Sequence, residues 1–445
     1  MSVTISKRSF LLLILDLGAI TGSYSAGYYL KSGYGPVGLL DHPISYLALI
    51  IFPSLFYIFD LYYPYNHFGK TQTFVEVLFS VGIGGLLIAS VSYLDRSFLL
   101  SRLIFVYTMT FLIPLIFLIR LLYDFFFQSR LLDKRALIVG TGPLACELVK
   151  VIKTTPHSGI EVIGLIYENK KPPGGQKNGI PVIGGVASLL SLIDWYKIEL
   201  VVLAFDSREE LSEAGVMSQL LARQVMVTSA IHLFEQINGD IPFRLLGSHY
   251  LLGLMSQVKR NPYLRLKRGM DLFFGGILFV FMAPGLFAAS LLIFLFERKN
   301  PFFLQKRIGI NGKAFELIKL RTMTQVKKNR LIATPLGKWI RRYHIDEIPQ
   351  LFNVMKGDMS LIGPRPEIPY FVDRCRKKIP FYDAVFTVKP GLTGWAQCTL
   401  RHTTTVHDYE KKFRYNLYYL KNISLGLDLQ VLLKTIRVVL LGKGK

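Results

Sequence analysis

The chain has 445 residues, of which 51% are hydrophobic, and a formal net charge of +23. This length allows two or three domains, and the hydrophobic fraction argues against an ordinary soluble protein. The three cysteines have no metal-binding spacing, which argues against a zinc site and a disulfide framework. The charge is uneven: residues 256–445 carry 34 Lys and Arg against 12 Asp and Glu, and the first 255 residues are almost neutral. The basic part suits anionic lipid, a phosphate-bearing substrate or nucleic acid.

Four apolar segments occupy the first 125 residues, at about 9–30, 44–63, 73–94 and 103–123. Each has close to the ~20 residues that a helix needs to cross a bilayer core. Lys and Arg are more frequent on the side of the N-terminus, which favours a cytoplasmic N-terminus and a cytoplasmic remainder of the chain. The sequence therefore predicts a transmembrane bundle of four α-helices over residues 1–130.

Residues 131–250 alternate short apolar runs with helical patterns, which indicates a Rossmann-like α/β domain with a doubly wound parallel sheet. The first run ends in a G-x-G-x-x-A turn that contains Gly140 and Gly142, and Glu168 ends the second run. Such a turn can bind the phosphates of a dinucleotide. The first turn of such a sheet needs small residues in any case, so a structural or regulatory role is the alternative.

A fifth apolar segment, residues 272–296, lies inside the basic part of the chain. Lys and Arg flank it on both sides, and Pro284 in its middle removes a backbone hydrogen bond and bends a helix. A re-entrant helix at about 267–297, broken at Pro284, would enter and leave the membrane by the same face and so explain both features. A kinked spanning helix is the alternative, because membrane helices tolerate proline. Residues 425–445 fit either an amphipathic helix on the membrane surface or a terminal helix packed on a core.

Two adjacent carboxylates, Asp346 and Glu347, precede Pro349 at a predicted helix start. Free N–H groups and the helix dipole favour anions there, although acidic residues in this place are often simple caps. Cations that can bind phosphate accompany them in the sequence: Lys319 and Arg321 in KLRTM, Arg365 in GPRP, and Arg307 in Q-x-R-x-G-x-x-G. Mg²⁺ takes one or two carboxylates plus substrate phosphates, and a carboxylate can also be a nucleophile. These residues predict phosphoryl chemistry at a membrane.

Four stretches resemble the bacterial sugar transferase family: KRGMD (267–271), FLQKRIGINGKAFELIKLRTM (303–323), IDEIPQLFNVMKGDMSLIGPRPE (345–367) and KPGLTGWAQ (389–397). Members are monotopic polyprenyl-phosphate phosphosugar transferases, and the preceding segments resemble the long-form members that initiate exopolysaccharide or O-antigen synthesis. The resemblance implies a mixed α/β catalytic domain at 251–445 with a re-entrant helix. It also implies contact with membrane lipids, a multi-pass location in the bacterial inner membrane with the catalytic domain cytoplasmic, and a possible homodimer.

The family's motifs imply roles for individual side chains. Asp346 matches the nucleophile, Glu347 matches the carboxylate that helps hold Mg²⁺, and Arg365 matches the arginine that contacts the phosphates or uridine of the donor. The other implied substrate-binding residues are Lys319, Arg321, Arg307, Gln350 and Asn353. The implied reaction moves a sugar 1-phosphate from a UDP-sugar to undecaprenyl phosphate through an aspartyl-phosphosugar intermediate, and releases UMP. His344 and Asn416 depart from the residues that many relatives have, which affects only the expected placement of the substrate.

Two other functions are alternatives. A membrane-bound, NAD-dependent nucleotide-sugar dehydratase or epimerase would need Tyr-x-x-x-Lys, a spacing that occurs at Tyr167–Lys171 and Tyr263–Lys267. A non-enzymatic scaffold would carry an inactive transferase domain, against which the intact Asp-Glu pair argues. Nucleic acid is not expected as a partner, because the basic part surrounds membrane segments instead of forming a soluble basic surface. No motif identifies the sugar.

Overall fold

The computed structural model describes two compact units, Met1–Leu233 and Phe234–Lys445. Each unit contains hydrophobic cores of its own residues. The described residues are 7–33, 43–59, 61–62, 70–94, 101–128, 133–155, 158–167, 176–204, 220, 223, 225–326, 330–400 and 406–440.

The first unit begins with four apolar helices. They are α1 (Lys7–Ser32), α2 (Pro43–Ile58), α3 (Lys70–Leu94) and α4 (Arg102–Gln128). Three of them, α1, α3 and α4, are long and apolar enough to cross a membrane, whereas the apolar part of α2, Tyr46–Ile58, is shorter. Phe52 and Phe56 of α2 are buried in one core with residues of the other three helices. The predicted bundle is present, and its second helix is shorter than predicted.

A buried ion pair connects α1 with α4. The guanidinium of Arg120 donates to both carboxylate oxygens of Asp16, at 3.0 and 2.6 Å, and the two side chains are 5% and 0% exposed. An isolated charge in these apolar surroundings would be very costly, whereas a bidentate pair satisfies both groups. The pair therefore specifies how α1 faces α4.

A six-stranded sheet forms the rest of the first unit. Its strands are β1 (Lys134–Val139), β2 (Ile160–Tyr167), β3 (Gln176–Lys177), β4 (Ile180–Gly185), β5 (Leu200–Leu203) and β6 (Met226–Ser229). Their order is β3-β4-β2-β1-β5-β6, and every neighbouring pair is parallel except β3 with β4. The helices α5 (Pro143–Thr154) and α6 (Leu189–Tyr196) connect strands. This order confirms the predicted Rossmann-like domain.

The glycine-rich turn after β1 has the local geometry that its sequence predicts. Gly140 has φ of +128°, a backbone conformation that side chains disfavour, and Gly142 precedes α5, which starts with Pro143. The Nζ atom of Lys177 donates to the carbonyl oxygen of Thr141 at 2.6 Å, inside the turn. Glu168, which ends the second apolar run, lies outside the described residues.

The second unit is mixed α/β, as predicted. Its strands form three two-stranded sheets: antiparallel β7 (Phe302–Ile308) with β8 (Ala314–Leu320), antiparallel β9 (Met323–Val326) with β10 (Arg330–Ala333), and parallel β11 (Ser360–Ile362) with β12 (Gly391–Thr393). Its helices are α7 (Ala230–Asn238, which begins in the first unit), α8 (Ser248–Arg260), α9 (Tyr263–Glu297), α10 (Pro335–Arg342), α11 (Gln350–Lys356), α12 (Pro369–Lys378), α13 (Trp395–Thr399), α14 (Val406–Lys421) and α15 (Leu425–Leu440).

The helix α9 contains the segment predicted to be re-entrant. It is 35 residues long, and it is the fourth helix of the described residues that is long and apolar enough to cross a membrane. It continues through Pro284, so the expected break is not an end of the helix there. Its buried residues lie towards its two ends: Lys267, Asp271, Gly275, Ala289 and Ile293. Phe281 in the middle is 82% exposed. An apolar middle with packed ends is typical of a helix whose middle contacts lipid.

The C-terminal helix α15 has a core-packed face, as one of the two alternatives predicts, and also an exposed apolar face. Leu427 and Val431 are buried in the main core of the second unit, whereas Leu429 and Ile436 are 53% and 48% exposed. One face is therefore an ordinary core face, and another presents apolar side chains outside the protein. The buried Asp428 lies on the packed side and accepts hydrogen bonds from Tyr263, Lys267 and Tyr419.

Candidate active site

The two carboxylates lie in a short turn between α10 and α11. His344 has φ of +56°, and Ile345–Glu347 forms a single 3₁₀ turn before Pro349. Neither carboxylate makes a capping hydrogen bond with the backbone of the helix α11. The simple capping role that the sequence left open is therefore not what these side chains do.

Glu347 is held by two cations. Its Oε1 atom accepts hydrogen bonds from Lys319 Nζ at 2.9 Å and from Arg365 Nη2 at 3.2 Å. Its side chain is 15% exposed. Burial raises the pKa of Glu347, but the positive charges of Arg365 and Lys319 together outweigh burial, and the pKa falls to about 2. Glu347 is thus ionised at neutral pH. It binds Lys319 from β8 and Arg365 from the turn after β11.

Asp346 has a different environment. It is half-buried, and within the part of the chain that the structure describes its carboxylate makes no hydrogen bond or ion pair. Burial and, second, the negative charge of Glu347 raise the pKa of Asp346 above the ordinary value of an aspartate. A carboxylate of raised pKa without partners is a better nucleophile than one already bound to a cation.

A third carboxylate, Glu367, lies directly after the turn that carries Arg365. Lys412 of α14 makes a buried ion pair with Glu367, and Arg307 Nη1 lies 3.9 Å from Glu367 Oε2. Arg307 also donates to the carbonyl oxygen of Pro366 at 3.0 Å. Three carboxylates and four cations therefore surround one turn. The sequence reasoning missed Glu367 and Lys412; the acidic residue directly after GPRP was the only available signal.

The glycines around that turn allow two backbone segments to touch. A Cβ atom on Gly363 would lie 2.6 Å from the carbonyl oxygen of Lys389, and one on Gly391 would lie 2.0 Å from the amide nitrogen of Gly363. The N–H of Gly391 donates to the carbonyl oxygen of Pro364 at 2.9 Å. The motifs GPRP and KPGLTG therefore form one rigid layer that presents Arg365 to Glu347.

The other predicted substrate-binding residues differ in what their side chains contact. Arg321 donates to the carbonyl oxygen of Asn300 at 2.9 Å and so holds the connection between α9 and β7. Asn353 bridges α11 and β8, since its side chain bonds the carbonyl oxygen of Glu316 and the N–H of Ile318. Gln350 is 3% exposed, and its Nε2 atom has no hydrogen-bond partner among the described residues. Lys319, Arg365 and Arg307 thus form ion pairs with carboxylates. Arg321 and Asn353 instead form hydrogen bonds that hold backbone segments together.

The donor set fits a magnesium ion that arrives with its substrate. Mg²⁺ is usually held by one or two carboxylates together with substrate phosphates and water. Glu347 would provide one carboxylate, and within the described ranges no group of three or more His, Cys, Asp or Glu could hold a metal on its own. Glu347 is the predicted ligand, and its Oε1 atom is shared with Lys319 and Arg365.

The structure argues against the alternative function of a nucleotide-sugar dehydratase or epimerase. The hydroxyl of Tyr263 donates to Asp428 at 2.9 Å, and Lys267 makes a buried ion pair with the same carboxylate. These two side chains hold α9 against α15, so they do not form the catalytic pair of a dehydratase. Of the other such pair, Tyr167 ends β2 and Lys171 lies outside the described residues.

Comparison with known proteins matches both parts of the chain. Residues 262–442 match the family described as bacterial sugar transferase, and residues 58–229 match a CoA-binding domain. The first match contains every carboxylate and cation of the candidate site.

Several curated proteins are similar. UDP-N-acetylgalactosamine-undecaprenyl-phosphate N-acetylgalactosaminephosphotransferase of Aeromonas hydrophila is 36% identical over 241 residues, which are 52% of this chain and 57% of that protein. UDP-glucose:undecaprenyl-phosphate glucose-1-phosphate transferase of Klebsiella pneumoniae is 29% identical over 339 residues, 72% of this chain and 70% of that protein. The uncharacterized sugar transferase EpsL of Bacillus subtilis is 42% identical over 154 residues, 32% of this chain and 71% of that protein.

Proposed function

Because the chain belongs to the bacterial sugar transferase family, we propose that it transfers a sugar 1-phosphate from a UDP-sugar to undecaprenyl phosphate. The similar proteins from Aeromonas and Klebsiella are named for reactions of this class. The observation that supports the proposal most directly is the carboxylate pair: an unpaired Asp346 beside a Glu347 that already holds Lys319 and Arg365. The identity of the sugar is left to experiment.

The donor's diphosphate is the natural partner of the cations. Lys319 and Arg365 share one oxygen of Glu347, and the side chain of Arg365 is 35% exposed, so its guanidinium is accessible to an anion. Arginine binds phosphate through two parallel hydrogen bonds, and lysine through a point charge. Glu347 would be a ligand of Mg²⁺, which when bound would further neutralise the diphosphate. The positive groups thereby reduce the repulsion between an anionic nucleophile and an anionic substrate.

The reaction proceeds in two displacements at one phosphorus atom. A carboxylate oxygen of Asp346 attacks the phosphorus next to the sugar, and the bond from that phosphorus to the bridging oxygen breaks, so UMP leaves with the electron pair. A phosphate oxygen of undecaprenyl phosphate then attacks the same phosphorus, and the bond to the Asp346 oxygen breaks. The product is a sugar on undecaprenyl diphosphate, and Asp346 is regenerated. Two separate steps suit one water-soluble and one lipid substrate.

The membrane helix supports a re-entrant arrangement at the cytoplasmic face. Near the start of α9, Gly275 packs close to Val354, and near its end Ile293 shares a core with Leu320 and Ile340. The 18 residues from Gly275 to Ile293 rise ~27 Å, close to the ~30 Å thickness of a hydrocarbon core, so a helix that crossed a bilayer straight could not make both contacts with one soluble unit. Contacts at both ends, cationic flanks and Pro284 together favour a bent helix that returns to the same face. We assign the enzyme to the bacterial inner membrane, where it starts exopolysaccharide, O-antigen or capsule synthesis.

The test is nucleotide release from membranes that contain the protein, with Mg²⁺, undecaprenyl phosphate and a panel of UDP-sugars. We expect UMP with one sugar, and loss of that UMP in Asp346→Asn, which removes the attacking charge without changing the side chain's size. Asp373→Asn is the matched control, because Asp373 lies on α12 and its side chain is 67% exposed. Release of UDP would mean glycosyl transfer and would contradict the proposal, as would full activity in Asp346→Asn.

A further inference from the structure

Two cations lie close to Gly357, at the end of α11. Gly357 has φ of +101°, which favours glycine. A Cβ atom there would lie 3.2 Å from Arg268 Nη2 and 3.5 Å from Lys389 Nζ. A side chain at this position would therefore crowd two positively charged groups that come from distant parts of the sequence.

Arg268 is fixed in place, whereas Lys389 has no partner. Arg268 donates to the carbonyl oxygens of Val354 at 2.7 Å and Met355 at 2.9 Å, which end α11. Lys389 is half-buried and makes no hydrogen bond or ion pair within the part of the chain that the structure describes. A half-buried ammonium without a counter-ion is costly to maintain, and binding an anion would offset that cost.

The acidic side chains nearest to Lys389 are engaged elsewhere. Asp271 accepts hydrogen bonds from the hydroxyl of Ser360 at 3.0 Å and the N–H of Leu361 at 2.9 Å. Asp358 lies 3.2 Å from Lys356. Burial and, second, the charge of Arg268 lower the pKa of Lys389, while Asp271 and Asp358 act in the opposite direction. Both carboxylates act on Lys389 electrostatically, without a hydrogen bond or ion pair to it among the described residues.

If the apolar part of α9 lies in the hydrocarbon core, Arg268 near the start of α9 lies at the height of the lipid head groups. Arg268 precedes Leu272 and Phe273, which are 46% and 64% exposed and begin the apolar part of the helix. Four residues of helix rise ~6 Å, a distance that separates head groups from the edge of the hydrocarbon core. Anionic groups at this depth are the phosphates of lipids.

The same lysine borders the candidate active site. Its carbonyl oxygen lies 2.6 Å from where a Cβ of Gly363 would be, and Gly363 begins the turn that carries Arg365. Lys389 therefore lies between the base of the membrane helix and the turn that faces Glu347.

We propose that Lys389 and Arg268 form a binding site for a phosphate group carried by a lipid. Under the proposed function, the phosphate is that of the undecaprenyl phosphate acceptor. This assignment of the ligand rests on the proposed function. An ordinary anionic phospholipid offers the same chemistry at the same depth and would occupy the site by the same contacts.

The test measures lipid binding to the full-length protein without any donor. The protein is placed in nanodiscs of phosphatidylcholine, and undecaprenyl phosphate or phosphatidylglycerol is added in separate titrations with the thermal unfolding midpoint as readout. Lys389→Met is expected to weaken binding of at least one of the two lipids about fivefold, and Lys389→Arg to retain it. Lys377→Met, an exposed lysine on α12, removes the same charge elsewhere and is expected to bind both lipids like the wild type.

The two titrations identify the source of the phosphate. Weaker binding of undecaprenyl phosphate alone assigns the site to the acceptor, and weaker binding of phosphatidylglycerol assigns it to membrane lipid. Unchanged binding of both lipids in Lys389→Met overturns the proposal. Lys389→Gln repeats the comparison with a polar side chain if the methionine variant does not fold. The lipid titrations contain no donor and are independent of the UMP-release test. If the wild type releases no UMP in that separate test, the proposed function is refuted and the lipid-binding result still stands.

Discussion

Glu347 and Asp346 are neighbours in sequence and have opposite electrostatic roles. Glu347 is paired with Lys319 and Arg365, and its pKa is lowered to about 2, whereas burial and Glu347 itself raise the pKa of Asp346. Glu347 thus binds two cations, whereas Asp346 has no ion pair among the described residues. Such a division is typical of sites in which one group binds and the other reacts.

The pairing of Glu347 predicts how stability depends on pH in metal-free protein. A carboxylate whose pKa is lower in the folded state stabilises the fold above its unfolded pKa, near 4.5, and loses that effect as the pH falls towards 2. Glu347→Gln is expected to unfold more easily at pH 7, by at most about 3 kcal/mol. The difference from wild type should shrink between pH 4.5 and the lowest pH at which both are folded, in thermal unfolding with a chelator. A constant difference at all pH values would argue against the ion pairs.

Lys319 should contribute mainly to donor binding. Lys319→Met leaves Glu347 with Arg365 only and removes one cation from the proposed diphosphate site, so we expect the KM for the UDP-sugar to rise tenfold or more. The matched control is Lys313→Met, on the exposed turn that joins β7 to β8 in the same hairpin. If the two variants have the same KM, Lys319 does not contact the donor.

At the scale of elements, the buried Asp271 connects the helix α9 to the rigid layer formed by the motifs GPRP and KPGLTG. Asp271 of α9 accepts two hydrogen bonds from β11, and β11 leads directly into the turn that carries Arg365. The position of α9 and the position of Arg365 are thereby linked through a single side chain. A helix that contacts lipid is in this way held at a fixed height relative to the carboxylates.

Asp271→Ala should therefore reduce both stability and activity. The change leaves the hydroxyl of Ser360 and the N–H of Leu361 buried without an acceptor, which costs about 2 to 4 kcal/mol. Thermal unfolding in detergent and UMP release in membranes measure the two effects. Asp373→Ala on the exposed face of α12 is the control, and equal behaviour of the two alanine variants would show that Asp271 has no anchoring role.

At the scale of the whole molecule, the candidate site lies entirely in one of the two compact units. Every carboxylate and cation of the site belongs to Phe234–Lys445, which also contains α9. The first unit has its own bundle core and its own sheet core. The chemistry should then depend on the first unit only indirectly, through location, regulation or assembly.

A truncated protein that begins with α7, at residue 230, tests this separation. We expect it to remain associated with membranes through α9 and to release UMP from the donor within about tenfold of the full-length rate. The truncated protein with Asp346→Asn is the control for contaminating activity. Complete loss of UMP release from a truncated protein that is folded and membrane-bound would show that the first unit contributes to the reaction itself.

Much of the architecture could be predicted from local patterns. Apolar runs of helical length predicted α1, α3, α4 and α9, and the alternation of strands and helices predicted the parallel sheet, because both depend on hydrophobic periodicity. The resemblance of four motifs to a known family indicated Asp346, Glu347 and Arg365 together. The reduced length of α2, the continuity of α9 through Pro284 and the structural partners of Arg321 and Asn353 were not predicted.

The sequence by itself determined which segments are apolar enough for membrane contact, where the Rossmann-like domain lies and which family the catalytic motifs resemble. Only the tertiary structure decided that Glu347 pairs with Lys319 and Arg365, that Glu367 pairs with Lys412, and that Lys389 lies unpaired beside Arg268. The reason is physical: periodicity and chain propensity act over a few residues, whereas each of these contacts joins side chains far apart in sequence. Which charges meet is set by the packing of β8, β11, α9 and α14, and no local pattern records that packing.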